Sequence, residues 1–281
     1  MAVKIITDSL SDITSDLAQE LGVTVVPVYV RFGEEVYRDR IEMTTEEFYR
    51  RLVHGAIFPT TTQPSPGDFI NVYEKLAKET DEILVVTLSN KLSGTYQSAL
   101  QAKNLMEGKC RIEVIDSETV VMGLGLIVIS VAKAAKSGAS LDELLDLVRK
   151  AMPRAHPIMS FDTLKYLAKG GRIGKAQSFL GSMLAVKPIL TIRDGEVHPV
   201  TRVRSRAAGK DYLYNFVAGF SKIEELAVEH ATTPDEAEEL IERLGSVYPK
   251  ERIYRSTVSP VIGTYVGPHV LSVSVLEAEK A

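Results

Sequence analysis

Short apolar runs rich in β-branched residues alternate with amphipathic stretches along almost the whole chain. Residues 83–86 are continuously apolar, the pattern of a strand buried on both faces, while 3–7 and 111–115 read as further strands and residues 23–32 as a longer one. The segments between them carry helix start and stop signals. Residues 15–21 end at Gly22, Thr44 with Glu47 opens a helix through Leu52, and Ser65, Pro66 and Asp68 open a helix over 66–78. Further helices are expected over 96–106, over the apolar stretch 120–137, and from Ser140 with Glu143 to about Ala151. Strand and helix in alternation predict a parallel sheet with helices on both faces, whose ligands sit at the carboxyl ends of the strands.

After Met152 and Pro153 the pattern changes. A strand near 156–161 and a short helix over 163–169 lead into the glycine turn KGGRIGK, which leaves Arg172 on an exposed turn. Residues 187–192 and 196–203 flank Asp194-Gly195, a strong hairpin signal, and a basic run of Arg202, Arg204, Arg206 and Lys210 opens a helix to about Phe220. Strands over 223–230, 252–257 and 270–275, with a helix from Thr233 to Gly245, complete a mixed sheet. The expected fold is therefore α/β in two domains, with a parallel-sheet domain over 1–152 and a mixed-sheet domain over 153–281. A chain of 281 residues that is 45% hydrophobic is long enough for two cores.

Composition narrows the function classes. A net charge of -4 with scattered Lys and Arg gives no nucleic-acid or anionic-membrane footprint. The one cysteine, Cys110, forms no internal disulfide and fits a reducing compartment. The chain runs from Met1 straight into a strand without a charged and apolar leader, and its apolar stretch over 119–132 is too short to span a bilayer, so a cytoplasmic location without integral membrane association is expected.

Candidate chemistry gathers where strands hand over to helices. Ser93, Gly94 and Thr95 lie between a buried strand and a helix N-terminus, where free N–H groups and two hydroxyls suit a carboxylate or phosphate; the same residues also suit simple helix capping. Thr60, Thr61 and Thr62 form a hydroxyl-rich loop between Pro59 and Pro64, which is equally a turn with β-branched filler. The motif loops hold no evident general base, metal-ligand cluster or nucleophile paired with histidine, so a binding protein without metal or cofactor is expected. Two alternatives stay open. One is an enzyme on a small phosphorylated or carboxylated metabolite, with Asp8 or Asp116 as acid or base. The other is an interaction protein using Arg172, Arg202, Arg204 and Arg206.

Nearly the whole chain resembles the DegV family of bacterial fatty-acid-binding proteins. The resemblance is carried by KIITDSLSD, VPVYVRFGEEVYRD, TTTQPSPGDF, LSNKLSGTYQSA, VIDSETVVMGLG, DTLKYLAKGGRIGK, VKPILTIRDGEV, the Arg204 region and SPVIGTYVGP, in order and spacing. It implies a two-domain, non-catalytic carrier with the ligand cleft between its domains, whose ligand is a long-chain fatty acid such as palmitate, and whose acyl phosphorylation comes from a separate fatty acid kinase subunit. It assigns the carboxylate to Thr61 and Ser93, with Thr62 and Gly94 beside them, and the kinase-facing surface to Arg172 and Arg204. The apolar helix over 120–137 becomes a candidate wall for the acyl channel. One position departs from the family pattern: GTYVGPHVL stands where GTHTGPGAL is usual, so Tyr265 occupies the place of a histidine that reaches the carboxylate. A phenol donates a hydrogen bond but brings no positive charge at neutral pH. His269, in place of a glycine, is either a substitute or a turn residue.

Overall fold

The computed structural model describes residues 2–106, 108, 110–182 and 186–279. In chain order the first half contains β1 (Lys4–Asp8), α1 (Ser15–Leu21), β2 (Val23–Val26), β3 (Tyr29–Phe32), β4 (Glu35–Arg38), α2 (Thr45–His54), β5 (Thr60–Thr62), α3 (Pro66–Leu76), β6 (Glu82–Thr87), α4 (Thr95–Leu105), β7 (Arg111–Asp116), α5 (Met122–Lys136) and α6 (Leu141–Ala151). The second half contains β8 (Ala155–Ser160), α7 (Lys165–Lys169), β9 (Lys187–Arg193), β10 (Glu196–Val203), α8 (Arg206–Ala218), β11 (Ile223–His230), α9 (Pro234–Leu244), β12 (Tyr254–Thr257), α10 (Pro260–Val266) and β13 (Leu271–Glu277).

Among the described residues the strands form three sheets. One is parallel, ordered β2-β1-β6-β7, with Ile5 opposite both Val23 and Leu84. Another is mixed, ordered β10-β9-β8-β13-β11-β12, and only its β11/β12 pair is parallel. The fold is thus α/β with a parallel and a mixed sheet, as the alternation of elements predicts. The third sheet, antiparallel β4-β3-β5, was not expected. It arises because residues 23–32 do not form one strand. Pro27 has no N–H to continue the parallel ladder, so the chain leaves that sheet after Val26 and pairs elsewhere from Tyr29. Thr60–Thr62, expected as a loop, pairs with β3 and is a strand.

Helix α5 lies between the two larger sheets. It is apolar all round, and Met122 to Ile129 are fully buried, the signature of a core helix rather than a surface one. It packs on β1 and β6 on one side and on β8, β11 and β13 on the other. The opposite face of the parallel sheet is covered by α3 and α4, where Phe69, Tyr73, Ala99 and Ala102 meet Ile6, Ile83 and Val85. Helix α10 was also not anticipated. Ser259 caps it and Pro260 takes its first position; Gly263 lets it cross α2, since a Cβ there would sit 2.5 Å from a Phe48 ring atom.

Near the point where all three sheets meet, Asp8 ends β1, Asp12 follows it, Asp39 follows β4 and Glu229 comes from β11, all buried, and Asp12, Asp39 and Glu229 face the Arg40 guanidinium. Arg40 donates to Asp12 Oδ1 at 2.9 Å, the Ser259 N–H to the same oxygen at 3.2 Å, and the Met122 N–H to both Glu229 oxygens at 3.2 Å. These bonds join the first turn of α5 and the cap of α10 to both large sheets. Three carboxyls facing one guanidinium, with Asp8 beside them, cannot all ionise. Burial pushes Asp8 and Asp39 up to about 7, and it raises Asp12 and carries Glu229 well above the ordinary carboxylate range.

Asp39 therefore holds its proton to about pH 7 when folded and releases it near 3.8 when unfolded. The folded chain binds more protons between these limits, so this stabilisation is complete below pH 3.8 and is lost as pH rises through about 7. Asp39→Asn keeps an oxygen acceptor for the Val261 N–H but cannot ionise. Its thermal midpoint relative to that of the parent is expected to rise by several degrees between pH 4 and pH 7 and to level off above; an offset that stays constant across this range would refute the assignment.

Candidate functional site

The parallel sheet reverses its winding between β1 and β6, and the crevice at their carboxyl ends is where open α/β sheets place ligands. Here the two strand ends are tied together. Asp8 accepts from the Leu10 N–H at 3.0 Å and from the Leu88 N–H at 2.8 Å, so the turn after β1 and the loop after β6 hold a fixed relation. Asp8 is thus a brace, and Asp116, which accepts from the N–H groups of Asn90 and Glu118, is another. Neither faces the cavity described next.

A cavity of about 290 Å³ opens at this crevice, between the parallel sheet, the mixed sheet and α10. Leu10, Leu88 and Val121 line it from the first half, and Phe161, Val197 and Val266 from the second. Val121 holds φ 54° and ψ -151°, a backbone region costly for a β-branched residue, and its N–H donates to Leu10 O at 2.8 Å. Val120 and Val121, just ahead of α5, supply the wall. The body of that helix, expected as a channel wall, is instead buried between the sheets.

The polar part of the lining is contiguous. Thr61 lies opposite Val30 in the β5/β3 ladder, and its hydroxyl bonds directly to the Tyr265 hydroxyl from α10. The Tyr265 ring rests on Gly170, where a Cβ would approach to 2.4 Å, and the Arg172 guanidinium lies 5.4 Å from the ring centroid. Arg172 also donates from Nε to Leu92 O at 3.3 Å and from Nη1 to Gly170 O at 3.0 Å, so it reaches from the turn after α7 to the residue before Ser93. The Ser93 hydroxyl lies 2.9 Å from the Thr95 hydroxyl. Its contact with the Thr95 N–H is long at 3.4 Å, and Gly94, at the N-cap of α4, offers no side-chain acceptor, so the first turn is only weakly capped. Capping alone does not account for this loop.

The cavity lining brings together Thr61, Thr62, Ser93, Tyr265 and Arg172. Gly94 stands behind it. A Cβ on Gly94 would lie 2.2 Å from Gln63 Oε1, so the glycine makes room for Gln63, a lining residue the sequence reading missed. Arg204 is exposed beyond β10 and away from the cavity. His269 lines a separate small cleft with Asp162, Lys187 and Arg206, the position of a turn residue rather than of a substitute for Tyr265. Arg206, from the basic run, is engaged by Glu236 at 2.9 Å. Among the described residues no group of His, Cys, Asp and Glu is arranged to hold a metal ion, and no helix is long and apolar enough to cross a membrane.

The hairpin β9–β10 closes one side of the cavity. Asp194 and Gly195 take φ 50° and 75°, as a tight two-residue turn requires, and the tip docks on the loop after β6. Ser89 Oγ donates to Gly195 O at 2.8 Å, and Lys91 Nζ to Asp194 O at 2.8 Å. The site is therefore an apolar cavity with one patch of hydroxyl, amide and guanidinium donors, a chemistry suited to an amphipathic anion.

A profile of the DegV family, described as one of uncharacterised proteins, matches residues 2–278. A DegV domain-containing protein of Caldanaerobacter subterraneus is 39% identical over 275 residues, covering 96% of this chain and 97% of its own. Among solved structures, a DegV family protein from Thermus thermophilus described by its fatty acid binding superposes with a TM-score of 0.91 at 34% identity, covering 99% of this chain and 100% of its own. DegV of Bacillus subtilis, described as a fatty acid binding protein, superposes with a TM-score of 0.90 at 30% identity and the same coverage.

Ser89→Ala removes the donor to Gly195 O and the acceptor of the Lys91 N–H. Urea unfolding is expected to show a loss of about 1–2 kcal/mol, and hydrogen exchange to speed up at residues 194–196 before the sheet core. Unchanged protection at the tip would mean that the hairpin is held by other contacts.

Proposed function

The chain belongs to the DegV family, and on that premise we propose that it binds a long-chain fatty acid in the cavity between its two large sheets. The carboxylate is held by Thr61 and Ser93, with Thr62, Gly94 and Tyr265 around it, and the acyl chain lies among the apolar residues from both halves. The observation that carries this reading is the cavity itself, whose apolar lining ends in one contiguous patch of donors. The two structural neighbours described as fatty-acid-binding, at 34% and 30% identity over nearly the whole chain, support it.

The energetics divide the work. Burial contributes about 0.8 kcal/mol per methylene, so a tail of about fifteen methylenes gains on the order of 12 kcal/mol before association costs. The tail supplies affinity. The head group demands donors, because a carboxylate taken out of water without them is heavily penalised. Asp8 and Asp116 are committed to backbone N–H groups, and among the described residues neither lines the cavity, which favours a carrier over the enzyme reading that used them as acid or base. In this reading the protein works in the cytoplasm and presents the acid to a separate kinase subunit, with exposed Arg204 and the outer face of Arg172 on the docking surface.

Mass spectrometry of the organic extract from protein purified without added lipid is expected to find a long-chain fatty acid near one per chain. In Ser93→Ala the affinity is expected to fall about tenfold, the loss of one hydrogen bond to a charged group. An extract without lipid, together with no measurable binding of added palmitate, would remove the fatty-acid reading.

A further inference from the structure

We infer that the buried acids Asp8, Asp12, Asp39 and Glu229 form a proton site coupled to the cavity, so that an acyl ligand entering the cavity drives protons onto them and a rise in pH favours its release. The inference rests on the fatty-acid reading and adds a means of regulating that same site.

The acid cluster and the cavity share a wall one residue thick. Leu10 and Leu88 line the cavity, and their N–H groups donate to the two oxygens of Asp8 at 3.0 and 2.8 Å. Val28 and Val261 line it from other segments. Val28 O accepts from the Asp39 N–H at 2.9 Å, and the Val261 N–H donates to Asp39 Oδ1 at 3.4 Å. Val121 completes the partition, since the N–H of its neighbour Met122 donates to Glu229. Each of these apolar side chains faces the ligand space while its own backbone, or that of its neighbour, bonds a residue of the cluster.

Two effects of a ligand then have the same sign. An ion behind so thin a wall is stabilised by water in the cavity; an acyl chain excludes that water and makes ionisation of Asp8 and Asp39 costlier. The carboxylate of the ligand adds a negative charge in the same cavity, which also opposes ionisation. Bound ligand favours the protonated cluster, and by linkage protons favour bound ligand.

The cluster is set to respond near neutrality. Asp8 faces Asp12 and Asp39, Asp39 faces Asp12 and Arg40, and Glu229 faces Asp12 and Arg40. Tyr49 of α2 borders them, and burial keeps its phenol neutral. Burial brings both Asp8 and Asp39 to about 7, where a change of surroundings moves the most protons. Asp39 Oδ2 is buried without a hydrogen-bond partner among the described residues, which leaves it open to a proton.

The test is calorimetric titration of the parent and Asp39→Asn with dodecanoate, a dispersed fatty acid that is ionised above about pH 6. Pairs of buffers with different ionisation enthalpies count the protons exchanged from pH 6 to pH 9. The parent is expected to take up about half a proton per ligand near pH 7 and little at either limit, with affinity falling about tenfold across the range, the result of a shift of about one unit in one acid. In Asp39→Asn the uptake is expected to fall by at least half. Carbon-13 carboxyl shifts of Asp8 and Asp39 in the parent, followed against pH, check the same point without a substitution, and their midpoints are expected to rise when dodecanoate is added. No uptake near pH 7, equal uptake in the variant, or unmoved carboxyl midpoints would overturn the inference while leaving the fatty-acid reading standing. A parent protein that binds neither dodecanoate nor palmitate would overturn both.

Discussion

The structure depends on one helix buried from two sides. Because α5 is apolar around its whole circumference, it satisfies the inner faces of the parallel and the mixed sheet at once, and it sets the distance between them. That distance creates the cavity. Two sheets packed directly face to face would interdigitate their side chains and leave no space for a tail. Here the helix fills most of the gap, and just ahead of its first turn, at Val120 and Val121, the gap remains open. Backbone strain at Val121 falls at this same place, which fits a residue held against its preference by packing on every side.

A second constraint comes from charge. Asp12, Asp39 and Glu229 face Arg40 in the region where the helix begins, and Asp8 adds a fourth acid beside them. Their protons stay on because burial opposes ionisation, and the retained protons let carboxyls bond to one another and to backbone N–H groups. The cavity head and the acid cluster use opposite strategies a short distance apart. The first gathers neutral hydroxyls and a guanidinium at an open cavity, and the second keeps acids neutral so that separate chain segments can meet.

Much of this was legible in the sequence for a physical reason. Strands buried on both faces leave unbroken apolar runs, and caps such as Ser65-Pro66 and Ser140 with Glu143 fix helix starts locally; both capping boxes are formed. What failed depended on context. The run over 23–32 stays apolar across Pro27, so periodicity alone does not reveal that the chain changes sheets there. Thr60–Thr62 has no hydrophobic alternation and becomes a strand only because β3 offers it an edge. The seven residues of α10 contain Gly263 and are too few for a period, although Ser259-Pro260 repeats the signal that marks α3. Thr61 and Ser93 stood out through their loops and the family resemblance. The inward reach of Arg172 did not, because it depends on Leu92, eighty positions away in sequence, and on Tyr265.

The docked hairpin has a consequence for kinetics. Since both large sheets share α5, they cannot swing apart without exposing the central core. The tip at Asp194 and Gly195 is different, because it is anchored by side chains of Ser89 and Lys91 rather than by the ladder of a neighbouring strand. Its opening is a local event of low cost. Opening there breaks two side-chain hydrogen bonds and leaves the central core closed, so local opening and global stability can vary independently in this fold.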